Sequence, residues 1–285
     1  MSNEPGCLFV IATPIGNLED ISARAARLLG EVDRVLAEDT RHTRRLLNHL
    51  GIDRPLQAMH DHNEVGQVAA LTAEMQGGRR LALVSDAGTP LISDPGFPLV
   101  RACRECGIDV FAVPGPSALT AALSVAGLPI DRFRFEGFLP RRSQARRDRL
   151  AELVDEPITL VFYESSHRIA AALADCVAVF GAGRRATIAR ELTKRFETVR
   201  YDTLGRLRQW VEDDADQQRG ELVLMVAGRT DAESGPDDRL LRLLLEEVPV
   251  RQAASIVARF TGAPKNAVYR RALALRDGTR GGLPG

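Results

Sequence analysis

Lysine is nearly missing from this chain. Of 38 basic residues, 36 are arginine and two, Lys194 and Lys265, are lysine. Arginine-rich coding bias accounts for the skew. It also singles out the two lysines, because a position that needs an amine cannot drift to a guanidinium. Net charge is missing too, since 38 acidic residues balance the 38 basic ones. The balance hides a local cluster: "RRSQARRDR" places Arg141, Arg142, Arg146, Arg147 and Arg149 against Asp148 alone.

Four cysteines in 285 residues, Cys7, Cys103, Cys106 and Cys176, exclude a disulfide framework. Cys103 and Cys106 form a lone C-x-x-C on one helical turn and read as packing or partly exposed thiols, because a structural zinc site needs further ligands. No apolar run approaches the ~18 residues of a membrane span. The amino end "MSNEPGC" lacks a basic-then-apolar signal pattern. The protein is expected to be soluble and cytoplasmic. G-x-G-x-x-G and G-x-x-x-x-G-K-[ST] are both absent, which removes the best support for a dinucleotide or P-loop reading.

What is present is enough to build cores, with 45% of residues hydrophobic. The first third alternates strands and helices: "CLFVIAT", then "DISARAARLLG" with Gly30 as its stop, "DRVLAED", then "RHTRRLLNHLG". "LALVSD" is a strand. "DPGFPLVRACRECG" is a helix with Asp94 as cap, Pro95 in its first turn and Gly107 at its end. "DVFAVPG" is a further strand. Repeated strand–helix units predict a mostly parallel sheet with helices on both faces. The pattern restarts after Ser117 and runs to about Gly228, a second α/β unit. A polar linker, "RTDAESGPDD", precedes three short helices broken at Pro249 and at Gly262–Pro264. Two of them joined by a tight turn read as a helix-turn-helix or as a packing and dimerisation cap. The expected organisation is residues 1–116, residues 117–230 and a helical appendage over 237–276. The fold class is α/β, with a cleft between the two α/β domains.

In a parallel sheet, ligands sit beyond the carboxyl ends of the strands. Six polar loops fall there: "TPIGN", "EDTRH", "SDAGTP", "PGPSA", "YESSHR" and "ELTK". Asp86 supplies an acceptor for a ribose hydroxyl or an amine. Gly88 allows close backbone approach, Thr89 adds a hydroxyl, and Ser117 offers donors at a helix start. Such a site suits a nucleoside with a cationic substituent better than a polyphosphate. "HDHNE" puts His60, His62 and Glu64 on one side of an extended segment, a possible metal half-site. Without further ligands, loop hydrogen bonding is the preferred reading, and no metal is expected.

The blocks "FVIATPIGNLEDIS", "AEDTRHTRRLL", "HDHNE", "ALVSDAGTPLISDPGFPLV", "VPGPSALTAALSVAGLP", "FEGFLP", "FYESSHRI" and "ARELTKRFE" together resemble the tetrapyrrole-methylase-like superfamily. Within it they are similar to the small-subunit rRNA 2'-O-ribose cytidine methyltransferases. The resemblance runs in order from about Leu8 to Gly228. It implies S-adenosylmethionine (the cofactor) in the cleft, held against Pro14, Asp86, Gly88, Thr89, Ser117, Ala118 and Tyr163. It also implies a homodimer and methylation of a cytidine ribose in the decoding region of 16S rRNA, with the small ribosomal subunit as partner.

A ribose hydroxyl is a poor nucleophile and needs a base or a nearby cation. The candidates are Glu38, Asp39 and Arg41 in "EDTR", and Glu191 and Lys194 in "ELTK". Lys194 has three readings: a desolvated neutral base, a charged group holding the alkoxide or a phosphate, and a surface ion pair with Glu191 or Glu197. Arg141, Arg142, Arg146 and Arg147 are candidate phosphate contacts. Two other functions fit part of the pattern, a methylase of a tetrapyrrole precursor and a non-catalytic RNA-binding assembly factor.

Overall fold

The computed structural model describes residues 6–229 and 238–280. The first five residues, most of the linker and the expected start of the appendage at position 237 lie outside them. The chain divides into two compact units. Both sheets fall in one, Met1–Val154 with Ile158–Ala227, and the carboxyl-terminal helices fall in the other, Asp155–Pro157 with Gly228–Gly285.

The first sheet contains β1 (Cys7–Ile11), β2 (Arg34–Ala37), β3 (Leu56–Ala58), β4 (Arg80–Val84) and β5 (Asp109–Val113) in the order β3-β2-β4-β1-β5. All its pairings are parallel. The period of two that strands impose sorts its side chains. Phe9, Ile11, Val35, Ala37, Ala82 and Val84 pack against α1 (Ala23–Glu31) and α2 (Thr40–His49). Leu8, Leu36, Leu81 and Leu83 pack on the other face against α3 (Glu64–Gln76) and α4 (Phe97–Glu105). Burial on both faces explains why these strands read as continuous apolar runs.

Two boundaries differ from expectation. Gly30 does not stop α1, which continues through it to Glu31 from an N-cap at Ser22. Asp94 does not cap α4, and Pro95 is not its first-turn proline. The helix begins at Phe97 with Gly96 as N-cap and Pro98 in its first turn. Glu64 of α3 supplies the missing acceptor, taking the Gly96 N–H at 2.7 Å.

The second sheet contains β6 (Phe133–Phe138), β7 (Thr159–Ser165), β8 (Arg185–Arg190), β9 (Thr198–Thr203) and β10 (Glu221–Val226) in the order β6-β7-β10-β8-β9. Only β6 and β7 pair in parallel; the other three pairings are antiparallel. The parallel pattern therefore does not extend to this half. Seven residues separate β8 from β9, too few for the crossover a parallel pair needs. One face packs Leu160, Phe162, Ile188 and Leu224 against α6 (Ser143–Glu152), α7 (Ile169–Phe180) and α8 (Leu204–Asp213). The other packs Val161, Ala189, Val223 and Met225 against α5 (Ala118–Val125) and against Ile15 from the loop after β1.

The second unit holds α9 (Asp238–Glu247), α10 (Val250–Thr261) and α11 (Lys265–Arg280). Gly262, at φ +73°, caps α10 in the left-handed region and lets the chain turn sharply into α11. Leu241, Ala253, Ala254, Val257, Val268 and Ala272 form its core. Among the described residues no helix is long and apolar enough to cross a membrane.

Candidate active site in the cleft between the sheets

The loops after β1 and β4 are stitched together. Thr13 and Gly88 exchange backbone hydrogen bonds at 2.9 and 3.0 Å, and the Thr13 hydroxyl donates to the Ser85 carbonyl at 3.1 Å. Gly88 has φ +86°, and a Cβ there would press on Ile15 Cγ2 at 3.3 Å. Thr89 Oγ1 donates to the Pro116 carbonyl at 3.1 Å, which ties in the loop after β5. Ser117 is the N-cap of α5, yet its side chain makes no capping bond; in the first turn, the Leu119 N–H is taken by the Tyr163 phenol instead.

These loops wall a cavity of about 450 Å³. From the first sheet it receives Ile15, Asp86, Gly88, Thr89 and Asp94, together with Ser117 and Ala118 of α5. The second sheet contributes Phe138, Tyr163, Glu164, Ala189 and Leu222, with Leu192 and Glu221 from the loop edge. Both sides carry carboxylates, Asp86 and Asp94 on one and Glu164 and Glu221 on the other, set among apolar groups. Phe138 and Phe135 meet the Tyr163 ring edge-on at 5.6 and 4.9 Å. Burial pushes the Tyr163 phenol up, although bonds to the Leu119 backbone and the Ser117 hydroxyl pull the other way.

The carboxylates on the loops of the first sheet crowd one another. Burial first, then repulsion from Asp86, Asp94, Asp61 and Asp39, pushes the Glu38 carboxyl up to about 7. Asp94 rises to about 6, chiefly through burial, with Asp86 and Asp61 adding to it and the Ser85 hydroxyl opposing it. Asp86 is fixed by accepting the Asp39 N–H at 2.9 Å.

Of the residues expected to hold the cofactor, Asp86, Gly88, Thr89, Ser117, Ala118 and Tyr163 converge on this cavity. Pro14 does not. It lines a separate cavity of about 30 Å³ with Leu18, His42 and Thr43, and Asp86 borders both.

The expected catalytic group disperses. Asp39 caps α2 through Arg41 N at 2.8 Å and pairs with the Arg41 guanidinium at 2.8 Å, which holds its carboxyl well below the usual range. It is a poor base, and Arg41 projects to solvent with 89% of its side chain exposed. Lys194 Nζ lies 2.8 Å from Glu191 Oε1 and 2.9 Å from Glu221 Oε2. Burial lowers its pKa, but the two carboxylates outweigh burial and raise it, so the neutral-base reading fails. Its stem crosses Gly16, where a Cβ would collide with it. Glu191, at φ +52°, also accepts the Glu221 N–H at 3.0 Å. Burial raises its carboxyl, yet the bonds from Lys194 and Glu221 leave it lowered overall. Glu191 and Lys194 thus staple the loop after β8 to β10. Glu197 is engaged elsewhere, accepting the Thr193 N–H at 2.6 Å.

Arg146 is not available to phosphate. It is 3% exposed and bonded to Asp175. Arg141, Arg142 and Arg147 do face solvent. In "HDHNE", Glu64 serves the start of α4 and the His60 and His62 rings meet edge-on at 6.0 Å. Among the described residues no group of three His, Cys, Asp or Glu side chains could hold a metal ion.

Sequence reasoning missed Asp94, Phe138, Glu164 and Glu221. Asp94 carried a visible signal, an acidic residue before Pro–Gly, but it was assigned to the helix. Phe138 sits just past a bulge where Gly137 takes φ +65°, and nothing in "FEGFLP" marks which aromatic turns inward.

Comparison with known proteins agrees with the geometry. Residues 8–208 match the family described as tetrapyrrole (corrin/porphyrin) methylases, and residues 231–276 match the RsmI C-terminal HTH domain. The chain is 54% identical over 274 residues to ribosomal RNA small subunit methyltransferase I of Pseudomonas aeruginosa, covering 94% of this chain and 97% of that one. It is 55% identical over 268 residues to the protein of the same name from Xylella fastidiosa, covering 93% and 98%. The crystal structure of diphthine synthase superposes with a TM-score of 0.59 at 16% identity, over 79% of this chain and 91% of that one. A likeness that remote shows the fold alone.

Proposed function

The chain belongs to the tetrapyrrole (corrin/porphyrin) methylase family, and from that premise we propose that it transfers a methyl group from S-adenosylmethionine to the rRNA of the small ribosomal subunit. The acceptor is the ribose 2'-hydroxyl of a cytidine in the decoding region. The enzyme works as a homodimer in the cytoplasm.

The observation that carries the reading is the mixture of carboxylates and apolar groups that line one cavity. Asp86 and Asp94, backed by Glu38, complement a cationic ligand, while Ile15, Ala189 and Leu222 suit its uncharged parts. Gly88 lets backbone approach closely. Bound there, S-adenosylmethionine supplies a methyl group on a sulfonium, an excellent leaving group. The chain's own task is then to position the acceptor and to take its proton. Arg141, Arg142 and Arg147 contact rRNA phosphates. The rRNA acceptor is supported by the names of relatives that share more than half of this sequence over nearly its whole length, appended helices included.

The test is which acceptor takes labelled methyl from S-adenosylmethionine. Small subunits from a strain lacking this enzyme are expected to incorporate it, and a corrin or porphyrin precursor is not. Incorporation into the precursor alone would replace this function with the small-molecule one. Calorimetry that detects no S-adenosylmethionine binding would favour a non-catalytic assembly factor.

A further inference from the structure

We propose that the exposed edge of the second sheet, from Phe196 to Tyr201, binds an unpaired stretch of rRNA by stacking its bases. The proposal rests on the methyltransferase reading above and names the surface that receives the strand next to the acceptor.

Strand β9 lies at the sheet edge and pairs with β8 alone. Ala189 of β8 lines the cavity, and its partner across the ladder is Val199. Side chains directly opposite share a face, on strands about 5 Å apart. Val199, and Tyr201 two residues on, therefore carry the cavity wall outward by one strand. Both are exposed, Tyr201 at 49%. Phe196, in the loop that leads into β9, is 63% exposed. Three large apolar side chains thus stay open to solvent along one short edge.

The same loop supplies Leu192 to the cavity, so the strip begins at the cavity's edge. The loop is tied internally. Glu191 and Thr193 hold φ of +52° and +65°, in the left-handed region that non-glycine residues rarely occupy. The Lys194 N–H donates to the Glu191 carbonyl at 3.0 Å and the Glu197 N–H to the Lys194 carbonyl at 3.1 Å. Arg190 Nη2 donates to the Phe196 carbonyl at 3.1 Å. A loop clamped in this way presents Phe196 at a set position, which lowers the entropy lost on binding.

Charge identifies the occupant. The Arg195 guanidinium lies over the Phe196 ring at 5.4 Å, and the Arg185 guanidinium over the Tyr201 ring at 5.5 Å. The acids nearby are engaged elsewhere. Lys194 holds Glu191 and Glu221, the Thr193 N–H holds Glu197, and Arg206 with the Thr203 N–H holds Asp202. Among the described residues none of these acids pairs with Arg185 or Arg195. Unneutralised cations beside open rings match a single-stranded nucleic acid, whose phosphates take the cations and whose bases stack on the rings. A second copy of this chain fits less well, because a two-fold interface would press the strip against itself and add cation to cation.

The test uses small subunits from a strain lacking this enzyme. Phe196→Leu and Tyr201→Leu stay apolar but lose the ring, and each is expected to weaken subunit binding about tenfold. Phe196→Trp should bind at least as tightly as wild type. In a Trp210→Phe background, which removes the chain's own tryptophan, emission from Phe196→Trp should be quenched by bound subunits. Arg185→Gln combined with Arg195→Gln should lower the log–log salt slope by about 1.4, roughly 0.7 for each single-strand phosphate contact. S-adenosylmethionine affinity and sedimentation of the free protein should match wild type throughout. Wild-type binding by the leucine variants, or unchanged emission from Phe196→Trp on binding, would overturn the proposal while leaving methylation by the wild-type enzyme in place. Leucine variants that sediment as a smaller species would overturn it in favour of a second copy of the chain. Wild-type protein that neither binds nor methylates small subunits would sink the functional reading itself.

Discussion

Arg146 and Asp175 form a buried ion pair between α6 and α7, in which Nη2 and Nε reach the same carboxylate oxygen at 2.6 and 2.8 Å. Ser143 Oγ donates to the same carboxylate. An arginine in the middle of the basic segment is therefore structural. Removing it leaves Asp175, with 9% of its side chain exposed, with only the Ser143 hydroxyl and a long contact to Arg147 Nε at 3.9 Å. Arg146→Ala should destabilise the protein by about 3–5 kcal/mol. Urea unfolding reads this, and an unchanged midpoint would contradict it.

Its neighbours should behave differently. Replacing Arg141, Arg142 and Arg147 together by glutamine should leave the unfolding midpoint and cofactor affinity near wild type. Small-subunit binding should weaken, and its log–log salt slope should fall by about 2, since each phosphate contact contributes roughly 0.7–0.9. A wild-type slope in the triple variant would reduce these arginines to a solvated helix face.

Much of this architecture was legible. Two-sided burial makes the central strands of the first sheet near-continuous apolar runs, so β1 and β4 stand out. Helix α3 was not legible, because it buries only Leu71, Thr72 and Met75 and carries Gly66. Strand β9 alternates half-buried and exposed residues at a sheet edge, a weak signal next to β8. In the site, the glycine and aspartate of "SDAGTP" were readable because backbone chemistry dictates them. The local pair of Lys194 with Glu191 was among the readings, whereas Lys194–Glu221 and Arg146–Asp175 were not legible, because they span 27 and 29 residues.

Lys194 now carries a structural expectation. Its two carboxylate partners join the loop after β8 to β10 at the edge of the cavity, and 27% of its side chain is exposed. Lys194→Ala should cost about 1 kcal/mol of stability, the scale of a part-exposed pair. Single-turnover methylation should fall less than tenfold, and Lys194→Arg should lie between the two. A loss of 10²-fold or more in both variants, with stability intact, would return Lys194 to the chemical step.

The raised carboxyls at Glu38 and Asp94 set a pH dependence. With folded values of about 7 and about 6, the native state binds more protons than the unfolded chain from roughly pH 4 to 7. Unliganded stability should therefore fall as pH rises through that window and level off above it. Both groups are partly open to solvent, so the effect should be about 1–2 kcal/mol in total after screening. Glu38→Gln should flatten it. A cationic ligand favours the ionised forms, so S-adenosylmethionine should bind more tightly as pH rises from 5 to 7.5 and release protons near pH 6. Thermal unfolding and calorimetry in buffers of different ionisation enthalpy check both signs. Proton uptake on binding would contradict the placement of the cation beside these carboxylates.

The most direct measurement follows a CD3 group from labelled S-adenosylmethionine into small subunits that lack this modification, with the methylated nucleosides mapped by mass spectrometry. Wild-type protein should place CD3 on the ribose oxygen of one cytidine in the decoding region. Asp86→Ala should bind the cofactor ~10-fold or more weakly, the cost of losing a hydrogen bond to a charged group, and label correspondingly less at a limiting concentration. CD3 on a base, on another nucleotide, or at full yield in the Asp86→Ala protein at limiting cofactor would contradict the account.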